Sequence, residues 1–379
     1  MTGILADPGR EPVSTLSIPH SSTRRARPRV PGRLALLLLG GASMLLGLSA
    51  ALMLLGLPAP ITTERLLEVH GQLMITGFLG TLIALERAIA LRQAWAYGAP
   101  IATGAGALLL VTPLPMAVGL SAQSVGLGIL VAIYAAVWHR AASTALAIQW
   151  LGSVLALCGS LLWLAQVPAG ALFPFLAGFL VLTIAGERLE LAHVASPPPG
   201  AARALWVISV TVALTSAGAL LWSTPGSELF GASLLATVLW LLRYDVATRT
   251  IRSIGLPRYT AVNLLLGMAW LAVAGLTWLT LGPQFDGPGY DVVVHAIGLG
   301  FAMSMVLAHA PIILPAVLIR PLPYRPVLYL ATVALQASLL LRVAGDVRES
   351  GWAWQAGGAG NVAALLVFVV IAAVLVIRR

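Results

Sequence analysis

The 379-residue chain has no lysine, one cysteine and little charge of either sign: Asp, Glu, Lys and Arg together make up 9% of it. A soluble domain would carry roughly a quarter charged residues. The shortage excludes a soluble enzyme, a nucleic-acid-binding protein and a disordered chain. The single cysteine, Cys158, excludes an intrachain disulfide and a thiolate metal cluster. It sits in an apolar run and reads as a small buried residue. With lysine missing, all 22 basic residues are arginine, and the net charge is +9. What the chain has in excess is apolar: 59% of it is hydrophobic, and the mean hydropathy is +0.95. It reads as a polytopic membrane protein whose main partner is the lipid bilayer.

A spanning helix needs about 20 mostly apolar residues. Twelve runs qualify, at about 34–57, 66–91, 95–112, 115–138, 143–165, 168–193, 203–222, 228–245, 258–281, 291–319, 324–344 and 355–377. Proline marks most of the gaps, as at Pro58, Pro113, Pro197 to Pro199 and Pro257. The loops are short, so 34–379 is expected to form a single twelve-helix transmembrane domain. Residues 1–33 are polar and rich in Pro, Ser and Arg. They read as a disordered basic cytoplasmic tail on the anionic inner leaflet, not as a secretory signal. With the N-terminus inside, 19 arginines fall on the inner side and three, Arg65, Arg342 and Arg348, outside. The positive-inside rule therefore expects both ends in the cytoplasm.

The chain also repeats itself. Residues 77–87 and 178–188 share seven identities in eleven positions, among them Gly77-Phe78-Leu79 with Gly178-Phe179-Leu180 and Glu86-Arg87 with Glu187-Arg188. A weaker third copy has Gly300-Phe301 and Val306, with His309 where the others have glutamate. The copies fall on the second, sixth and tenth helices, which share one orientation. The expected fold is an all-α membrane protein of three four-helix repeats about a pseudo-threefold axis along the membrane normal.

Of six histidines, His20 lies in the tail and the other five lie within spans or at their ends. Ionisable groups at such depth are costly, which makes function the first reading. His70 and His295 sit near the outer ends of the second and tenth helices. Two imidazoles facing each other in an apolar bundle are what a six-coordinate haem iron takes; each could also be a lone polar side chain bonded to a carbonyl. His309 is 14 residues beyond His295, about 21 Å along the helix, too far to share one haem. The inner level gathers His309, His139, His193, Glu86, Glu187 and Glu190. This set suits a second haem, copper or another transition metal, or a proton path; plain charge neutralisation near the interface fits as well. Arg342, on the outer side, suits a haem propionate or an anionic substrate, and Asp346 is an available partner. Met74 shares a face with His70 and reads as thioether ligand or core filler.

These residues carry a resemblance. Val69-His70-Gly71-Gln72-Leu73-Met74 with Gly77-Phe78, then His295-Ala296 with Gly298, Met303 and Met305, and Leu341-Arg342-Val343, resemble motifs of the NnrS family. Those are haem- and copper-containing bacterial membrane proteins linked to nitric oxide stress. The resemblance implies haem b, held by His70 and His295, in the bacterial cytoplasmic (inner) membrane, with an electron donor or a small gas ligand as partner. His309-Ala310-Pro311 departs from the family's later histidine context, and Glu187 replaces a glycine of its mid-chain motif. The haem–copper oxidase catalytic subunit is a wider resemblance, with twelve helices and haem histidines on the second and tenth. The copper-binding histidines of that fold have no counterparts here. No nucleophile–base pair, phosphate loop or His-Glu-x-x-His motif is present, so enzyme status stays open. A proton- or metal-coupled transporter for a small solute is the alternative function.

Overall fold

The computed structural model describes residues 30–192, 198–318, 320 and 322–377, and among them the chain is helical with no strand. All twelve apolar runs fold as helices. They are α1 (Val30–Leu54), α2 (Glu64–Leu91), α3 (Ala94–Leu110), α4 (Met116–Trp138), α5 (Thr144–Leu164) and α6 (Ala169–Ala192). The second half holds α7 (Pro199–Leu221), α8 (Ser223–Tyr244), α9 (Leu256–Leu281), α10 (287–318), α11 (Leu328–Val347) and α12 (Gly351–Ile377). A single helical turn, Ala247–Thr250, follows α8. Eleven of the twelve are long and apolar enough to cross a membrane; α3, Ala94–Leu110, is shorter. The chain is thus a multi-pass membrane protein.

Helix starts follow local chemistry. Pro199, Pro257 and Pro288 occupy first-turn positions, where a missing N–H costs nothing. The Ser143 hydroxyl caps α5 by accepting from the Leu146 N–H at 3.2 Å. The expected start of α11 at 324 is delayed to Leu328, because Pro323 and Pro326 disfavour helical conformation in the residues before them. The expected tail at 1–33 lies outside the described residues up to 29, and α1 already begins at Val30.

Consecutive helices pack as antiparallel pairs: α1 on α2, α5 on α6, α9 on α10, and α3 on α4, α7 on α8, α11 on α12. In lipid there is no hydrophobic drive between helices, so close backbone approach has to supply the contact. Gly231 and Gly275 provide it between α8 and α9, where a Cβ on Gly231 would press on the Gly275 carbonyl. The α6 helix is enclosed on every side: each residue from Leu172 to Gly186 is buried, including Pro174 within the helix. Its outward-facing counterparts lie on α7 and α12, where Leu214 and Val370 are more than half exposed.

Two helices depart from α geometry at matching places. α2 is π-helical over Leu73–Gly80 and α10 over Ala296–Met303. These segments carry Gly77-Phe78 and Gly300-Phe301 at the same register. A π segment re-aims the side chains that follow it and is frequent at functional sites.

Candidate functional site

His70 and His295 each precede a π segment at one end of the bundle. His70 Nδ1 lies 2.9 Å from the Gly47 carbonyl oxygen on α1. His295 Nδ1 lies 2.8 Å from the Asp291 carbonyl oxygen, one turn back. A carbonyl only accepts, so in each neutral ring Nδ1 carries the proton and Nε2 presents its lone pair. A Cβ on Gly298, one turn beyond His295, would meet open space. Met74 packs its sulfur against Gly47, as core filling.

Arg342 of α11 braces this end. Its Nε donates to Asp291 Oδ2 at 2.7 Å and its Nη2 to Oδ1 at 2.6 Å. Asp291 Oδ1 is also 3.3 Å from His295 Nδ1. Backbone and side chain of Asp291 thus fix the His295 ring, and Arg342 fixes Asp291. The guanidinium lies 5.6 Å over the Trp354 ring of α12. The hydrogen-bonded partner of Arg342 is therefore Asp291 of α10, not Asp346 of its own helix. An open depression of about 420 Å³, lined by Asp291, Asp346, Glu349 and Trp354, covers this end.

The opposite end joins α2, α6 and α10 through their charged residues. Arg87 Nη2 of α2 donates to Glu187 Oε1 of α6 at 2.8 Å and to its own neighbour Glu86 at 3.1 Å. Arg188 of α6 approaches His309 Nε2 of α10 at 3.4 Å. Arg188 also makes a two-pronged pair with Asp245 beyond α8, Nε to Oδ2 at 2.6 Å and Nη2 to Oδ1 at 2.9 Å. Arg188 and Asp245 are 5% and 0% exposed, so the pair is fully desolvated. The Arg87 guanidinium lies 5.9 Å from the centre of the Tyr134 ring. His309 and Glu187 are thus each held by an arginine. His193 lies outside the described residues. Among the described residues, no three His, Cys, Asp or Glu side chains converge as a metal-binding group.

Between the two ends lies a cavity of about 600 Å³, walled by α1, α2, α6, α10 and α12. It runs from Phe78 to Glu86 along α2, from Leu180 to Glu187 along α6 and from Ala302 past His309 to Leu314 along α10. His70 and His295 lie beyond it, eight and seven residues from Phe78 and Ala302, about 10–12 Å along the helices. The sequence names the histidines and the Glu–Arg pairs but gives no sign of Asp245 or Thr183. Asp245 was legible only as a lone carboxylate among the arginines that follow α8.

Fold and site together define a multi-pass, all-α membrane protein with ionisable side chains at both ends of an apolar interior. Residues 33–377 match the family described as "Domain of unknown function (DUF8744)", and the chain belongs to that family. No curated protein and no solved structure matches it.

Proposed function

We propose that this chain is a haem b protein of the bacterial cytoplasmic membrane, with a redox or nitric-oxide-related role like that of the NnrS family. His70 and His295 are its axial ligands. One observation carries the reading: both rings are fixed through Nδ1 by backbone carbonyls, which leaves the Nε2 lone pair as the ligating atom of each. A ring tethered in this way is the usual form of a metal-bound histidine. Two such ligands suit an iron that takes only axial bonds from protein. Copper or another transition metal would need the further ligands that His309, Glu187 and His193 were expected to supply, and the first two face arginines. The bound haem, with both axial positions taken by histidine, would supply one-electron chemistry. The chain's own part is to hold the two rings, with Asp291 and Arg342 bracing His295 and α1 bracing His70.

The same proposal includes twelve spans with both ends in the cytoplasm, α3 being the twelfth, and three four-helix units about a pseudo-threefold axis. The pairing of α1 with α2, α5 with α6 and α9 with α10 supports those units. So does the ring of contacts at the inner end. Arg87 of the first copy meets Glu187 of the second, and Arg188 of the second meets His309 at the glutamate position of the third.

The test is a reduced-minus-oxidised visible spectrum of the detergent-purified protein. A b-type α-band lost in both His70→Ala and His295→Ala supports the reading; a colourless protein expressed with haem available refutes it. Unchanged spectra together with lost solute uptake in those variants would favour the coupled transporter, which draws on Glu86 and Glu187 beside the cavity.

A further inference from the structure

The inner ring of contacts is incomplete. Its first two sides are arginine to glutamate and arginine to histidine. At the third side the arginine position is Ala310, and among the described residues Glu86 pairs with its own neighbour Arg87 alone, at 3.1 Å. Glu86 and Ala310 both line the 600 Å³ cavity at this open side. One turn before Glu187, Thr183 also lines the cavity. It is 2% exposed, and its hydroxyl has no hydrogen-bond partner among the described residues. Buried hydroxyls elsewhere in the bundle donate to the carbonyl four residues back, as Thr76, Ser124, Ser209 and Thr237 do. A buried hydroxyl left out of that habit is costly unless a ligand meets it.

The rest of the lining is apolar, and the cavity reaches the bilayer side. α12 is tied to α1 at the His70 end, where the Gln355 side chain donates to the Leu55 carbonyl at 2.8 Å. Farther along, Leu38 and Leu45 of α1 and Val369 of α12 line the cavity while being partly exposed. An occupant can enter there from the lipid. It needs an apolar body and a head that donates hydrogen bonds, because a carboxylate only accepts. A phosphate or carboxylate head would be repelled by Glu86 and Glu187.

We propose that this cavity binds a lipid-soluble quinol, its hydroquinone hydroxyls donating to Glu86 and Glu187, with Thr183 bonding the same head. The tail lies along α1 and α12 towards the lipid. The proposal goes beyond the haem reading and does not depend on it.

The experiment is a titration of the full-length, detergent-purified protein with a decyl-chain quinol and with its dimethyl ether, which has the same body but no donor. The quinol is expected to saturate a single site and the ether to bind about tenfold more weakly or not at all. Thr183→Val and Glu86→Gln should each weaken quinol binding. Ala310→Arg, which restores the missing arginine, should abolish it, as should Gly41→Phe, which projects into space the cavity leaves open beside α1. Equal binding of quinol and ether overturns the proposal; so does unchanged binding in Ala310→Arg and Gly41→Phe, or a phospholipid extracted from the site in place of a quinol. The same titration on the double variant His70→Ala, His295→Ala should keep quinol binding while haem is lost, so failure of one reading is distinguishable from failure of the other.

Discussion

Arg87 and Glu187 stand one hundred positions apart in the chain and 2.8 Å apart in space, joining α2 and α6 at the end of the bundle that holds His309. Both side chains are mostly shielded from solvent, so the bond is a charge-assisted one in a low-dielectric setting. Glu187→Ala should destabilise the detergent-solubilised protein by about 1.5–3 kcal/mol. The exchange Arg87→Glu with Glu187→Arg should recover part of that loss. Thermal inactivation of the parent, Glu187→Ala and the exchange variant in one detergent measures it, and an exchange variant no more stable than Glu187→Ala would speak against the pair.

Arg188 and Asp245 should matter more. Removing one partner of a fully buried pair leaves an uncompensated charge, which costs about 3–5 kcal/mol. Asp245 also accepts from the Ala247 N–H at 2.7 Å, so it anchors the turn after α8. Asp245→Ala is expected to give the largest loss of thermal stability among single charged-residue variants. A melting temperature within error of the parent would remove this pair from the list of supports.

If His295 ligates haem as proposed, its bracing by Asp291 and Arg342 predicts a graded effect on haem binding. Asp291→Asn keeps the backbone carbonyl contact but loses the charged fork. Haem affinity should fall about 10- to 100-fold, the usual effect of removing a partner behind a metal ligand. Arg342→Lys, which offers one bond where the fork offers two, should fall between the parent and Asp291→Asn. Haem titration of the apoprotein gives the order directly, and a reversed order would place Arg342 in contact with haem itself.

The place of α3 is open to a labelling experiment. Cysteine introduced at Gln93 and at Leu114, in a Cys158→Ser background, should react with a membrane-impermeant reagent from opposite faces of the membrane. Labelling of both from one face would leave eleven spans and put the two ends of the chain on opposite sides.

The bilayer makes helix positions legible, because a fixed thickness demands a fixed apolar length. The expected α4 at 115–138 and α9 at 258–281 lie within two residues of the observed helices. The π segments of α2 and α10 were hidden because a uniformly apolar run looks the same at any period. Pro174 inside α6 was hidden for a related reason, since packing on every side holds the helix through it. Side-chain partners were the least legible. Arg342 has a carboxylate four residues away, yet its geometry favours one from α10. The two histidines resist the repeat as well, for aligning Gly77 with Gly300 sets His70 against Val293, two residues from His295. Two residues turn a helix by about 200°. The repeat therefore does not by itself set the two rings at equivalent positions.

The burial of α6 sets an order on synthesis. Arg188 leaves the ribosome 57 residues before Asp245, an interval of about 3–11 s at ordinary elongation rates. During that wait the helix has no carboxylate from α8 to hold its charge and no neighbours on most of its faces. Until α8 arrives the guanidinium has to snorkel towards the interface or be sheltered by the insertion machinery. Slowing translation between codons 188 and 245 should therefore lower the yield of assembled protein more than slowing it anywhere in the last two helices.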